Sequence, residues 1–146
     1  MAIASTPQRP AFTVLRPMQT RWMDNDQYGH VNNVTYYSYF DTAVNGWLME
    51  ATGADTRLGS AIGVVAETSC RFLKEISFPD PICVGLRVEK LGRSSVVYQL
   101  AVFRGDDVDP SALGRFVHVY IDQKTRCPVA VPQAIRAALA RIEGKE

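Results

Sequence analysis

From Ile62 to Asp122 the chain carries four strand-like segments joined by short, turn-rich connections. Ile62–Phe78 mixes Val, Thr and Phe and reads as one long or bent strand. Ile82–Leu91 alternates imperfectly through Val84, Leu86 and Val88; Ser94–Arg104 is SSVVYQLAVFR; Arg115–Asp122 is RFVHVYID. The connections are the FPDP turn at Phe78–Pro81, the pair Gly92–Arg93 and the polar stretch GDDVDPSALG. Consecutive strands linked so tightly pair antiparallel, because a parallel neighbour needs a longer crossover.

Ahead of them lie one more strand and one long helix. Phe12–Met23 reads as the strand, and its Pro17, with no N–H to give, belongs at an edge or a bulge. Asn32 or Asn33 caps a helix that runs to about Thr52 and stops at Gly53. Tyr37, Phe40, Val44, Trp47 and Leu48 recur at helical spacing, and Tyr36, Tyr39 and Ala43 broaden that face. Such a helix is expected to be buried on most sides. A short amphipathic helix, Pro132–Ile142, follows the last strand with Ile135, Leu139 and Ile142 on one side. The expected class is α+β: an antiparallel sheet of about five strands with one long central helix packed on it.

A chain of 146 residues fits a single domain, and no repeat or second domain is visible. Residues 1–10 are expected as a flexible N-terminal tail and 11–146 as the domain. A formal net charge of +1 gives no field to attract nucleic acid or an anionic membrane. The longest apolar runs fit buried strands, so no membrane insertion is expected. The opening lacks a basic and apolar leader, and Cys70, Cys83 and Cys127 form neither a CxxC pair nor a zinc pattern with His30 or His118. Reduced thiols and a cytoplasmic location are the expectation.

The chemistry concentrates in Thr20–Asp41, TRWMDNDQYGHVNNVTYYSYFD. A carboxylate beside a helix N-terminus suits hydrolysis of an activated acyl group, since free backbone N–H groups there stabilise a developing oxyanion. Asp24 and Asp26 compete for that part. Both suit Asx turns, but the turn after Asp26 folds it back towards the helix start, while Asp24 suits a loop-organising acceptor. His30 has no Ser or Cys beside it and reads as a residue that orients the loop rather than as a base. His118 alternates with Phe116 and Tyr120 and reads as packing. Glu67 is paired by default with Arg71 on the same strand face. Arg93, and more distantly Arg71 and Lys74, are the cations available for phosphates.

DNDQYGHVNNVTYYSYFDTA resembles the signature of the hotdog-fold acyl-CoA thioesterases of the 4-hydroxybenzoyl-CoA thioesterase type. VHVYIDQKTRCPVAVPQAIRAAL is similar to that family's last strand, exit and terminal helix, and the likeness covers nearly everything after Phe12. The resemblance implies a sheet wrapped round the helix and paired into homodimers and often homotetramers. It also implies sites at the dimer interface and no metal or redox cofactor. It maps the catalytic carboxylate onto Asp26 and the oxyanion-binding amide to about Asn33. It places Tyr28, Gly29, His30, Val31 and Asn32 around the substrate, and it puts nucleotide phosphates near Arg93. Acyl-CoA is the implied substrate; an acyl-carrier-protein thioester and non-catalytic acyl-CoA binding stay open.

Overall fold

The computed structural model describes residues 6–143. Its elements are β1 (Val14–Gln19), α1 (Thr35–Thr52), β2 (Ala61–Phe72), β3 (Pro81–Leu91), β4 (Ser95–Arg104), β5 (Ala112–Asp122) and α2 (Gln133–Ala140). The five strands form one sheet in the order β1-β3-β4-β5-β2, and every pairing is antiparallel. The edges are therefore β1 and β2. Pro17 lies in β1, opposite Cys83, where a missing donor breaks no central ladder.

The helix α1 fills the inner face of the sheet. Phe40, Ala43, Val44 and Leu48 are fully buried and join Val84, Leu86, Val88, Tyr98, Leu100 and Val102 in one cluster. Burial of each such large side chain contributes about 1.5–3 kcal/mol. Tyr37 and Trp47 sit only half-buried at the margins, while Tyr36 and Tyr39 go under. The buried stripe is thus rotated relative to the one read from spacing. Gly114 lets the helix approach: a Cβ there would fall 2.5 Å from atoms of the Phe40 ring. Gly53, at φ 67°, ends the helix in the left-handed conformation and donates to the Met49 carbonyl at 2.9 Å.

Three strands differ from the sequence expectation by more than one residue. The first strand is limited to β1, because the chain from Trp22 to Asp24 turns away as a 3-10 helix. The long strand Ile62–Phe78 ends at Phe72, where the Leu73 and Lys74 amides both bond the Ser111 carbonyl at 2.8 and 3.0 Å. Residues 73–80 then cross towards the Asp24–Val31 loop. Finally, β5 begins at Ala112 rather than Arg115, since Ala112 to Gly114 extend the ladders with β2 and β4.

The segment expected as a tail is docked from Gln8 onwards. Arg9–Ala11 is a 3-10 turn, and the Arg9 guanidinium lies 4.9 Å over the Phe103 ring and donates to the Asp107 carbonyl. Behind it Phe12 is buried with Cys83, Ala101 and Phe103 on the outer face of the sheet. A cation over an aromatic face and a buried Phe together hold this stretch. Residues 1–5 of the expected tail lie outside the described residues. No helix of the described residues is long and apolar enough to cross a membrane.

Candidate active site

The loop before α1 is built on Asp24. This carboxylate is only 1% exposed, and its acceptor capacity is committed. It accepts from the Arg21 amide at 2.8 Å, from Arg21 Nε at 3.0 Å and from the Tyr39 hydroxyl at 2.7 Å. Burial alone would raise its pKa. The donors from Tyr39 and Arg21 outweigh burial and hold the carboxyl below its ordinary range. Its own burial, and then the contact with Asp24, push the Tyr39 phenol well above its usual value. Asp24 is thus the loop-organising acceptor that the sequence suggested.

Asp26 stands differently. Its Oδ1 accepts from the Tyr28 amide at 2.8 Å in an Asx turn, and Oδ2 has no protein partner among the described residues. The turn closes through Asp26 N–H to the His30 carbonyl at 2.9 Å and Gly29 N–H to the Asp26 carbonyl at 3.1 Å. Gly29, at φ 83°, takes the positive-φ position this reversal requires.

The next few amides are distributed unequally. Asn32 N–H bonds the Asp24 carbonyl at 2.8 Å, Val34 N–H bonds Asn32 Oδ1 at 3.0 Å, and Thr35 N–H bonds the Asn32 carbonyl at 2.9 Å. The helix starts at Thr35 with Val34 at the N-cap position and no side-chain cap, so neither Asn32 nor Asn33 caps it as the sequence suggested; Asn32 instead makes an Asx turn to Val34 just before the helix. Asn33 N–H alone of the four meets no acceptor among the described residues. An unsatisfied donor at a helix start can bind a developing oxyanion, and a carboxylate with a free oxygen can act as nucleophile or base.

Asp26, His30, Val31 and Asn33 line one open cleft of about 420 Å³. Tyr36, Phe72 and Leu73 to Ile76 complete it. The sequence reading missed the wall from Phe72 to Ile76, naming only Lys74 in it, because it ran 62–78 together as one strand. The signal was available in Ile76, which is 1% exposed and whose carbonyl accepts from Val31 N–H at 2.7 Å. Two further bonds tie the segments: Ser77 Oγ to the Gly29 carbonyl at 2.8 Å, and Phe78 N–H to Asn25 Oδ1 at 3.0 Å. Tyr36 packs edge-on against Phe72 with ring centroids 5.0 Å apart, and burial raises its phenol to about 12, so its hydroxyl stays protonated. His30 Nε2 lies 3.0 Å from Glu75 Oε2, fastening the loop to the segment after β2.

Other expected residues fall outside the cleft. Tyr28 is 75% exposed and does not line it, and Gly29 and Asn32 serve the two turns that lead into the helix. Glu67 pairs with Arg115 across the β2–β5 ladder rather than with Arg71, because Arg115 also reaches Glu89 and bridges two strands. His118 packs inward among Tyr98, Phe116 and Tyr120, as its strand alternation implied. Lys74 comes to the cleft wall, 4.0 Å from Asp107.

Arg93 is exposed at the β3–β4 turn, at the opposite end of the sheet from Asp26. The eleven residues of β3 separate the two ends, a span of about 35 Å at the usual rise. One chain therefore does not bring Arg93 and Asp26 together. A second cation is found at that turn: Arg136 of α2 donates to the Gly92 carbonyl at 2.6 Å and the Arg93 carbonyl at 3.1 Å. Among the described residues no three His, Cys, Asp or Glu side chains gather as a metal site.

Residues 20–139 match the model of the thioesterase-like superfamily. The chain belongs to this family. Its hotdog fold is shared by the PA5185 protein from Pseudomonas aeruginosa strain PAO1, at 48% identity with a TM-score of 0.92, covering 95% of this chain and 97% of that one. A thioesterase from Thermus thermophilus complexed with coenzyme A and Zn is 29% identical, with a TM-score of 0.77 over 93% of this chain and 98% of that one. The chloroplastic acyl-acyl carrier protein thioesterase ATL3 of Arabidopsis thaliana is 26% identical over 124 residues, 82% of this chain. This thioesterase-like chain spans 64% of the length of that curated relative. The family resemblance drawn from the DNDQYGHVNN string therefore holds.

Proposed function

We propose that this thioesterase hydrolyses acyl-CoA to the free acid and CoA, with Asp26 as the catalytic carboxylate and the Asn33 amide as the oxyanion donor. The observation that carries the reading is the pairing of a free Asp26 oxygen and a free Asn33 N–H on the wall of one cleft. Asp26 attacks the thioester carbon as nucleophile or takes a proton from the attacking water. Solvent oxygen-18 appearing in the Asp26 carboxylate after a single turnover supports the first route. The Asn33 donor contributes in the range of about 2.7–4 kcal/mol, the typical loss when one oxyanion-hole donor is removed.

The working unit in this reading is a dimer. The outer edge of β2 is twelve residues long, carries no Pro, and leaves Val65 and Phe72 exposed. Such an edge offers unpaired N–H and C=O groups to another strand, and a second copy supplies one by two-fold antiparallel pairing. Full overlap sets Ala61 opposite the partner's Phe72, so the far end of the partner sheet comes to the cleft. The partner's Arg93 then belongs to the CoA-binding side of the site. Pairing of two such dimers gives the tetramer.

The test is thiol release over a panel of acyl-CoAs beside the same acyl groups on carrier protein. Turnover of CoA thioesters with the higher kcat/KM is expected. A large preference for carrier protein would favour the activity named for the Arabidopsis relative. No release from either would leave only acyl-CoA binding.

A further inference from the structure

A second cavity lies at the other end of the same chain. It has a volume of about 250 Å³ and is lined by Leu48 and Asn45 of α1, Ile62 and Gly63 of β2, and His118 and Tyr120 of β5. Gly63 opens it: a Cβ there would sit 3.2 Å from His118 Nδ1 and 3.1 Å from the Tyr120 ring. His118 is 2% exposed, and its Nδ1 meets no hydrogen-bond partner among the described residues. A buried polar atom left without a partner is costly, and a site for a ligand group explains why it persists. The charge at the rim is already spent, since Arg57 is held by Asp55 through two side-chain bonds at 2.9 and 2.7 Å. The cavity therefore suits a neutral, hydrogen-bonding group with an apolar stem and offers an anion little.

Position gives the occupant. Full two-fold overlap of β2 sets Gly63 opposite the partner's Cys70, two residues from the Phe72 that lines the Asp26 cleft. A two-fold axis normal to the sheet keeps both helices, and so both cavities, on one side. Between them runs the inner face of β2, with exposed Val65 and the buried Thr68 hydroxyl, which also has no partner among the described residues. In that dimer each cleft would continue along a seam lined by Val65 and Thr68 into the other chain's cavity.

We propose that the Gly63–His118 cavity receives the far end of the acyl chain held at the partner's Asp26, and that it selects chains carrying a terminal hydroxyl or oxo group. This rests on the thioesterase reading and on the β2-edge dimer. His118 is here a specificity residue and takes no part in bond cleavage. The hydroxyl of a bound chain gives the imidazole the hydrogen bond it lacks, and Leu48 and Ile62 enclose the methylenes.

The test compares kcat/KM for ω-hydroxyoctanoyl-CoA, octanoyl-CoA and butyryl-CoA in wild type, His118→Phe and Gly63→Ala. In parallel, 1-hexanol is titrated against each folded protein while the His118 ring resonances are followed by NMR. Wild type is expected to favour the hydroxylated chain about tenfold, the worth of one neutral hydrogen bond. His118→Phe keeps an aromatic ring and should abolish that preference. Gly63→Ala should lower the octanoyl-to-butyryl ratio, and hexanol should shift the His118 resonances in wild type but not in Gly63→Ala. An unchanged hydroxyl preference in His118→Phe would overturn the proposal, as would silent His118 resonances on adding hexanol. A wild type that cleaves no acyl-CoA would refute the thioesterase reading instead, and the hexanol titration would then decide the cavity alone.

Discussion

Acid should unfold this protein through His118 before it does so through its carboxylates. The imidazole packs against the rings of Tyr98, Phe116 and Tyr120, with centroids 4.9 to 6.1 Å away and no acid among them, and borders the Gly63 cavity on its remaining side. Burial, unopposed, lowers its pKa from 6.5 to about 4. The sign follows from proton counting. Above 6.5 the ring is neutral in both states and has no effect on the balance. Between 6.5 and about 4 the unfolded chain takes up a proton that the folded chain refuses, so stability falls as pH falls. Below 4 both states are protonated and the slope ends. The whole window is worth about 3 kcal/mol at roughly 1.4 kcal/mol per pH unit, a large share of a typical domain's stability. Asp24 acts in a separate range: its lowered pKa makes its contribution present above 3.8 and lost below. The assay is urea unfolding from pH 7 to pH 4 at fixed protein concentration, with His118→Phe as the reference that cannot titrate. The difference between the two curves should grow by about 3 kcal/mol over that range. Parallel curves would show that the ring is protonated inside the fold, and the burial argument would fail.

Three further outcomes are expected. Gly114→Ala drives a methyl into the Phe40 ring, 2.5 Å away, and should destabilise by about 3 kcal/mol in urea unfolding; a neutral effect would mean that α1 shifts off the sheet freely. Tyr39→Phe removes the 2.7 Å hydrogen bond to buried Asp24 and should cost roughly 1.5–3 kcal/mol by the same measurement. Arg93→Ala should raise KM for acyl-CoA severalfold with kcat nearly unchanged, less so at high salt, and should leave an acyl-pantetheine substrate nearly unaffected; equal losses on both substrates would make Arg93 structural.

Much of this was legible in the sequence, for identifiable reasons. The short connections after Ile62 forced antiparallel neighbours, and Pro17 marked an edge strand. Gly53 stopped the helix because a left-handed C-cap favours glycine. The division of labour between Asp24 and Asp26 was legible in part, since an Asx turn and a helix start lie only a few residues apart. The Asp24 contact with Tyr39 was not, because it spans fifteen residues and depends on which helical face turns inward. The Leu73–Ile76 wall was hidden by composition: Phe72, Leu73 and Ile76 look like strand, and only the double acceptor at Ser111 bends the chain away. Arg136 reaches Gly92 through tertiary packing over forty-four positions. The Gly63–His118 cavity depends on a missing side chain beside a buried one, a pairing that appears only when β2 meets β5.

The most direct test of the account is thiol release from acyl-CoA by Asp26→Asn and Asp24→Asn, each first shown by circular dichroism and sedimentation to keep its fold and assembly. Asp26→Asn should lose orders of magnitude in kcat with substrate affinity retained, because it removes the free carboxylate oxygen beside the Asn33 amide. Asp24→Asn should lower stability and reduce kcat far less. Near wild-type turnover in Asp26→Asn, with turnover abolished in a well-folded Asp24→Asn, would contradict the assignment of Asp26 as the catalytic carboxylate.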